Sequence, residues 1–555
     1  MTSNTMVNVG ARLSQTAASN PDGIAVVEPL NYDSNGARRY RHCTFAELEA
    51  DSNRIASGLL ARGIPPRTRL VLMVRPSIDF ISLVFGLFKA GMVTVLIDPG
   101  MGRNNLIQCL EDVEPEGFVA IPQVHALRML MRRRFRRARW NVTVGRRWFW
   151  GGATLKRIRA IGSPDSFSAA TEAGDSAAII FTTGSTGPPK GVLYSHGNFD
   201  RQVDEIRDFY GIQPGGIDLP GFPLFALFNS AMGVTSVIPD MDFTRPAAAD
   251  PRKIVEAARD WQVTQAFGSP ALWNTVGRYC EQQQIRLPSL KCVLSAGAPV
   301  PPHVLKRMKH AISESGDVHT PYGATEALPV ASISATEVLG ETSALSREGA
   351  GTCVGRRFPG IEWRVIEIRD DPIEDMAQAH VLPPKEIGEL IVRGPVVTSQ
   401  YVTRCEANPL HKIRDGESSW HRMGDAGYLD EQDRFWFCGR KSQRILTTNG
   451  PMFTIPCEAI IQRHERVYRA ALVGIGPRGQ QRPVIVVELW PERRIHSAQE
   501  REELLSQLQE LARLHNITAR IRNFLIHPSL PVDIRHNAKI FREQLAVWAA
   551  EKLER

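Results

Sequence analysis

The 555-residue sequence predicts an α/β protein with parallel sheets covered by helices on both faces, followed by antiparallel β structure and a last α+β segment. Apolar strand-like runs alternate with amphipathic helical stretches through the first half of the chain. After about residue 350 the runs become short and alternating, with Gly and Pro between them. A separate group of strands and helices follows from Lys441 onward.

Each region has its own signal. Continuous apolar runs predict buried parallel strands at 116–122, 176–182, 233–239, 261–268 and 290–297. A helix is predicted at 44–60 from the spacing of its apolar residues. The most apolar stretch, 80–97, contains Lys89 and Gly91, so it predicts a buried helix turning into a strand and not a membrane span.

The later elements are shorter. Alternating runs predict a small antiparallel barrel or sheet from strands at 361–368, 388–394 and 434–439. The last segment predicts strands at 469–474 and 484–489 and a helix from about Ile540. We expect one domain over 1–439 and a second over 440–555.

The charge of the chain is unevenly distributed. Its 67 Lys+Arg and 59 Asp+Glu give a net charge of +8, which raises the question of a nucleic-acid partner. Between Glu116 and Asp165 there is no acidic residue, and this interval contains twelve basic ones: Arg128, Arg132, Arg133, Arg134, Arg136, Arg137, Arg139, Arg146, Arg147, Lys156, Arg157 and Arg159. Without them the chain has 55 basic and 59 acidic residues, a net charge of −4. Nucleic acid is therefore not an expected partner.

Two further features indicate the compartment. The N-terminus lacks a basic region followed by an apolar core, so no signal peptide is predicted. The eight cysteines form no CxxC pair and no metal-ligand spacing. Both features are typical of a cytoplasmic protein with reduced thiols.

The strongest functional signal is a loop directly after a predicted strand. It contains Thr182, Thr183, Gly184, Ser185, Thr186, Gly187 and Lys190. Backbone N–H groups, hydroxyls and a Lys are the groups that hold a triphosphate. The loop is not a Walker A motif, because Pro189 precedes the Lys and Gly191 follows it. The alternative is a Gly/Ser/Thr surface turn.

This loop resembles the phosphate-binding motif of the adenylate-forming superfamily, which includes acyl-CoA synthetases, luciferases and peptide-synthetase adenylation domains. Further motifs follow in the family's order along nearly the whole chain: 295–299, 320–326, 422–425, 439–440, 449–458 and 535–540. The resemblance implies a large N-terminal domain of two parallel-sheet subdomains plus a small antiparallel barrel. It also implies a small, mobile C-terminal α+β lid domain that swings about a hinge at Arg440.

The resemblance also implies residue roles. ATP and Mg²⁺ are the implied cofactors. The implied nucleotide-binding residues are Ala296, Gly297 and Ala298 in the adenine-binding backbone, Tyr322, which stacks on adenine, and Gly323. The implied catalytic residues are Thr325, which contacts the α-phosphate, Glu326, which binds Mg²⁺, and Lys539, while Asp425 and Arg440 reach the ribose.

These residue types suit the chemistry. Adenylation brings an anionic carboxylate to an anionic α-phosphate, so catalysis depends on positioning and on placed cations. A carboxylate such as Glu326 beside phosphates is favourable only if it holds a metal, for which Mg²⁺ is suited. Taken singly, each residue has a simpler interpretation: Glu326 as a helix N-terminal acid, Lys190 and Lys539 as solvated lysines, and Asp425 as a turn residue.

Three stretches, 214–228, 236–242 and 531–539, resemble one branch of the superfamily, the β-lactone synthetases of bacterial long-chain olefin biosynthesis. This implies adenylation of a long-chain 2-alkyl-3-hydroxy fatty acid and closure of a β-lactone by its own 3-hydroxyl. Ala226 stands where many acyl-CoA synthetases have His, and Asn537-Ala538 replaces the usual Ser-Gly before the Lys, departures that disfavour a standard thioester-forming second step. The alternatives are a long-chain acyl-CoA or acyl-AMP ligase and, from another class, a non-catalytic nucleotide-binding scaffold.

The basic segment mixes arginines with Trp140, Trp148, Phe149 and Trp150. A stretch of this kind over 128–150 can lie on an anionic membrane surface or dock on an acidic partner, such as another enzyme of olefin biosynthesis. The alternative is a solvated surface beside core aromatics. The stretch 222–228 similarly allows either an acyl-chain pocket or ordinary core packing.

Overall fold

A computed structural model describes residues 6–182, 188–532 and 540–554. The first of its two large sheets has seven strands. Across the sheet they are Ala153–Thr154, Trp140–Thr143, Gly117–Ala120, Arg69–Met73, Val93–Leu96, Ser176–Phe181 and Gly191–Ser195. All neighbours are parallel except the last two strands, which form an antiparallel hairpin.

The second sheet has fourteen strands. Their order is Glu362–Ile366, Gly388–Arg393, Ser418–Leu429, Arg434–Arg440, Thr352–Arg357, Ala327–Ser334, Asp317–Ala324, Cys292–Ser295, Gln265–Gly268, Ile217–Pro220, Thr235–Val237, Ile24–Tyr32 and Arg38–Thr44, with Lys412–Asp415 beside Ser418–Leu429. The strands from Asp317–Ala324 to Ile24–Tyr32 are parallel, and the remaining pairs are antiparallel. The antiparallel strands predicted after residue 350 thus continue the edge of a parallel sheet.

Helices cover both sheets, as predicted for buried parallel strands. Those of seven residues or more in the described ranges are Ala11–Ser19, Phe45–Ala61, Ile78–Lys89, Arg103–Asp112, Pro122–Leu130, Leu155–Ile161, His196–Tyr210, Phe225–Met232, Pro251–Asp260, Pro270–Gln282, Pro302–Ala311, Thr454–Ile461, Ala498–Arg513 and Arg542–Leu553. The helix predicted at 44–60 is confirmed and begins with a capping box between Thr44 and Glu47.

The stretch 80–97 forms a buried helix followed by a buried strand, which confirms its prediction. Lys89 is fully buried, and its ammonium donates to Asn53 Oδ1 (2.7 Å) and to the Glu49 carboxylate. A paired Lys is therefore accommodated in the core.

The C-terminal part forms an α+β unit with its own apolar core. Its three-stranded sheet contains Val467–Ile475, Arg482–Leu489 and Asn523–Ile526, preceded by a hairpin of Ile445–Thr447 and Gly450–Met452. It follows the strand that ends at Arg440. The domain boundary between 439 and 440 remains our proposal.

The cysteines and the apolar helices bear on two further predictions. All eight cysteines are free thiols, and six of them are buried. Within the described ranges, no helix combines the length and apolarity that crossing a bilayer requires.

Candidate active site

The loop with the strongest sequence signal joins the antiparallel strands Ser176–Phe181 and Gly191–Ser195. Two hydrogen bonds close its neck: the Thr182 N–H donates to the Lys190 carbonyl, and the Lys190 N–H donates to Thr182 Oγ1, both at 3.0 Å. The expected phosphate-binding residues Thr183, Gly184, Ser185, Thr186 and Gly187 lie outside the described residues.

The Lys190 ammonium faces an aromatic ring. Its Nζ lies 4.9 Å from the centroid of the Tyr401 ring, a cation–π distance. Burial lowers the pKa of Lys190, and the nearby Glu326 carboxylate opposes this shift. Within the described ranges no carboxylate forms an ion pair with Lys190, so this partly desolvated cation is available to an anionic ligand.

The segment 397–403 connects the two large sheets at this point. Tyr401 forms an antiparallel bridge with Val192, on the strand that follows the loop. The N–H and the hydroxyl of Thr398 both donate to the Glu326 carbonyl, each at 2.9 Å. One short segment therefore holds Lys190 and Glu326 next to each other.

Thr325 and Glu326 form the turn that follows strand Asp317–Ala324. The Tyr194 hydroxyl donates to the Thr325 carbonyl (2.6 Å), and the Tyr401 hydroxyl donates to Glu326 Oε1 (2.6 Å). Glu326 lies in a hairpin turn and not at a helix N-terminus. Its carboxylate is thus held through one oxygen, and Oε2 accepts no hydrogen bond from the described residues.

Asp425, Arg440 and Tyr322 form a second polar group. Asp425 lies opposite Arg440 on neighbouring antiparallel strands, with Oδ1 and Nη1 2.8 Å apart. The Tyr322 hydroxyl donates to Asp425 Oδ2. Burial raises the pKa of Asp425 while Arg440 opposes the shift, and the charge of Asp425 raises the pKa of Arg440. Asp425 lies inside a strand and not in a turn.

The predicted adenine-binding backbone lies at the adjacent sheet edge. Ala296, Gly297 and Ala298 follow strand Cys292–Ser295, and Gly297 has φ = +96°, which favours glycine. Strand Asp317–Ala324 is the parallel neighbour, so the carboxyl ends of both strands meet at this edge.

Gly323 occupies a crowded position in the same strand as Tyr322. A Cβ at residue 323 would lie 2.6 Å from the Ala327 carbonyl oxygen, closer than side chains tolerate. A side chain at this position would displace the turn that carries Glu326.

Lys539 lies outside the described residues. The described residues on either side of 533–539, Val532 and Ile540, form an antiparallel bridge. Just after it, Arg542 pairs with Glu458 at 2.9 Å, and burial raises the pKa of Glu458 to about 7.

The charges suit a nucleotide with a divalent cation. Two carboxylates (Glu326 and Asp425) balance two cations (Lys190 and Arg440), so the additional negative charge of a polyphosphate calls for a divalent cation. Within the described ranges no group of three or more His, Cys, Asp or Glu is placed to hold a metal. Mg²⁺ bound with substrate phosphates needs only one or two carboxylates, which Glu326 with its unbonded Oε2 fits.

Sequence reasoning did not identify the residues that support this group. Besides Tyr401 and Thr398, they include Lys412, whose ammonium donates to the Thr398 carbonyl, and His411, whose ring meets Tyr401 edge to face at 5.6 Å. Burial, reinforced by the charge of Lys190, lowers the pKa of His411 to about 4, so its ring is neutral at pH 7. These residues lie in a stretch with no motif or unusual composition.

The apolar stretch 222–228 is only partly buried, and Phe222 is 47% exposed. Phe225 and Ala226 are buried on helix Phe225–Met232. The gap beside them, lined partly by Phe80 and Ile238, measures about 10 Å³, room for about one water molecule. A long acyl chain would have to widen this gap.

Comparison with known proteins agrees with these motifs. Residues 13–402 match the family model described as AMP-binding enzyme. The chain is 46% identical to the olefin beta-lactone synthetase of Xanthomonas campestris pv. campestris, over 99% of this chain and 98% of that protein. It is 45% identical to the olefin beta-lactone synthetase of Stenotrophomonas maltophilia, over 99% of both chains.

The fold is also found in solved structures. ATP-bound MatB from Rhodopseudomonas palustris superposes with a TM-score of 0.75 at 19% identity, covering 98% of this chain and 100% of that one. The predicted α/β architecture with a C-terminal α+β unit is therefore confirmed.

Proposed function

Because the chain belongs to the AMP-binding enzymes and is an adenylate-forming ligase, we propose that it converts a long-chain 2-alkyl-3-hydroxy fatty acid into a β-lactone. The observation that carries this proposal is the 46% identity to an olefin beta-lactone synthetase over 99% of the chain. The resemblance of the stretches 214–228, 236–242 and 531–539 to the same branch supports it.

In the first proposed step, a carboxylate oxygen of the fatty acid attacks the α-phosphorus of ATP. A P–O bond forms, the bond to pyrophosphate breaks, and an acyl-AMP results. Lys190 would offset phosphate charge, while Asp425 and Arg440 would orient the ribose. Mg²⁺ held by Glu326 would neutralise phosphate charge. Lys539 would act on the charge that develops as pyrophosphate leaves.

In the second proposed step, the 3-hydroxyl oxygen of the same acyl group attacks the acyl carbon. The bond to AMP breaks, the hydroxyl proton is released, and a four-membered lactone closes. The nucleophile is already tethered to the reacting carbon, so no second substrate has to be bound and oriented. For this reason the proposed reaction requires no coenzyme A.

The test supplies the purified protein with a long-chain 2-alkyl-3-hydroxy acid, ATP and Mg²⁺, without coenzyme A. AMP, pyrophosphate and a β-lactone are the expected products. A thioester formed once coenzyme A is added would instead identify an acyl-CoA ligase, and absence of pyrophosphate release would identify a nucleotide-binding scaffold.

Lys539→Ala is the informative variant for the first step. We expect it to lower turnover far more than substrate affinity, because the Lys charge would act in the transition state. Lys552→Ala, which removes an exposed Lys from the last helix, is the matched control and should leave turnover unchanged. A raised Michaelis constant with unchanged turnover in Lys539→Ala would contradict the assignment.

A further inference from the structure

The basic segment surrounds strand Trp140–Thr143 near one edge of the seven-stranded sheet. Residues 130–139 precede the strand and residues 144–152 follow it. Three large apolar side chains in these flanks are exposed to solvent: Leu130 by 85%, Trp148 by 59% and Phe149 by 79%. Trp150, by contrast, is buried and stacks on His125. The segment is therefore held to the protein by a buried aromatic side chain and exposes three apolar side chains to solvent.

Most of the cations in this segment lack an acidic partner. Arg134 pairs with Glu111 at 3.0 Å and Arg137 with Glu114 at 2.7 Å. Arg159 pairs with two acids of the helical layer, and Arg128 is buried. The other eight are exposed and form no ion pair with any described acid: Arg132, Arg133, Arg136, Arg139, Arg146, Arg147, Lys156 and Arg157. Their charge is not neutralised within the described ranges.

A groove of about 720 Å³ opens beside the first flank. One wall is the beginning of helix Arg103–Asp112, which contributes Arg103 and Ile107, and the other is 130–134. The groove is lined by four arginines and no acid, together with the apolar side chains of Leu130, Met131 and Ile107. Cations beside apolar side chains match an anionic headgroup attached to a hydrocarbon chain.

We propose that residues 130–139 and 146–149, here called the cationic–apolar surface, bind the headgroup region of an anionic lipid bilayer. Charge complementarity selects the bilayer: this surface carries eight arginines and no acidic residue, whereas the remaining 59 basic residues of the chain are matched by 59 acidic ones. The exposed Leu130, Trp148 and Phe149 would enter the interface between headgroups and acyl chains, where aromatic side chains are favoured. An acidic protein could use the same charges and is the alternative outcome that the first experiment distinguishes.

The first experiment measures co-sedimentation of the full chain with vesicles of phosphatidylcholine alone or mixed with phosphatidylglycerol, at low and high salt. We expect salt-sensitive binding to the mixed vesicles only. The measurement needs neither ATP nor a fatty acid, so it is independent of the proposed reaction. A protein that stays in solution with the mixed vesicles would overturn the proposal, and retention on immobilised polyglutamate in that case would point to an acidic protein partner.

Charge-matched variants locate the binding surface. The variant R132Q/R133Q/R146Q/R147Q should lose at least about tenfold in vesicle affinity. The control R39Q/R494Q/R501Q/R513Q removes four exposed arginines from elsewhere and should bind as the unmodified protein does. Equal losses in both variants would show a net-charge effect and overturn the assignment to this surface.

The apolar part has its own variant, Leu130→Ser with Phe149→Ser, which keeps every charge. It should lower the affinity for mixed vesicles at both salt concentrations, because the lost contacts are not screened. An unchanged affinity of this variant for mixed vesicles would mean that the interaction depends on charge alone, and would contradict the proposed insertion of Leu130 and Phe149. Circular dichroism and pyrophosphate release verify that each variant is folded.

Discussion

The Tyr401 hydroxyl donates a 2.6 Å hydrogen bond to Glu326 Oε1, while the ring of the same Tyr lies 4.9 Å from Lys190 Nζ. One buried side chain thus contacts both the proposed metal-binding carboxylate and the proposed phosphate-binding cation. Glu326 and Lys190 come from different sheets, and Tyr401 lies on the segment 397–403 that joins the two sheets. It fixes their relative position without taking part in bond making.

Tyr401→Phe removes this hydrogen bond and keeps the ring. We expect adenylation to slow by about 10- to 100-fold, the effect of losing a hydrogen bond to a charged group. The Mg²⁺ concentration for half-maximal rate should also rise, because Glu326 is less well oriented. Pyrophosphate release as a function of Mg²⁺ concentration measures both effects.

The control for this variant is Tyr279→Phe, which removes a hydroxyl from helix Pro270–Gln282; Tyr279 packs in a different apolar cluster from Tyr401. It should leave the rate and the Mg²⁺ dependence unchanged. A rate loss in Tyr401→Phe with an unchanged Mg²⁺ dependence would mean that the hydroxyl does not act through Glu326.

Asp425→Ala should weaken ATP binding, because Asp425 is the proposed ribose ligand and also holds Tyr322 and Arg440 in place. Equilibrium binding of ATP, followed by calorimetry, measures the loss, which we expect to be at least about tenfold. Asp208→Ala changes an exposed Asp of a helix C-terminal turn and is the control. Unchanged affinity in Asp425→Ala would contradict the ribose role.

Glu389→Gln should strongly destabilise the fold. Glu389 and Arg422 are both fully buried and 2.6 Å apart, and Lys441, next to the proposed hinge, lies 2.9 Å from the other carboxylate oxygen. Removing the acid leaves two desolvated cations, at a cost of about 3–5 kcal/mol in the free energy of unfolding. Urea denaturation measures this quantity.

The matched control is Glu362→Gln, which neutralises an acid paired with Arg393 at 2.7 Å near the surface. Its effect should stay within about 1 kcal/mol. Equal effects of Glu389→Gln and Glu362→Gln would mean that the buried pair is hydrated.

Lys412 predicts a pH dependence of stability. Burial lowers the pKa of its ammonium to about 8, from an ordinary 10.5. Between these values the unfolded chain holds a proton that the folded chain has released, so the contribution of this Lys to the free energy of unfolding rises with pH. Lys412→Met cannot titrate, so the stability of the unmodified protein relative to this variant should increase between about pH 8 and 10.5. If the free energies of unfolding of the unmodified protein and of Lys412→Met, measured by urea denaturation, change with pH in parallel, this effect is excluded.

Local patterns were sufficient for most of the fold. Parallel strands such as Val93–Leu96 are buried on both faces and appear as continuous apolar runs, which a sequence displays directly. No comparable sequence pattern indicates that the later antiparallel strands join the edge of the parallel sheet. It depends on hydrogen bonds between strands that are distant in sequence, such as Thr352–Arg357 with Arg434–Arg440.

For the candidate site, the resemblance of a set of motifs, in the order of the adenylate-forming family, was enough to name Lys190, Glu326, Asp425 and Arg440, although each residue taken singly has a simpler interpretation. Tertiary structure was needed to find Tyr401, which is 75 positions from Glu326. A Tyr without a motif has no signal along the chain, because its role arises from a contact between two sheets. The same holds for the positive charge, which the sequence places at 128–159; only the structure separates the paired and buried arginines from those that remain exposed.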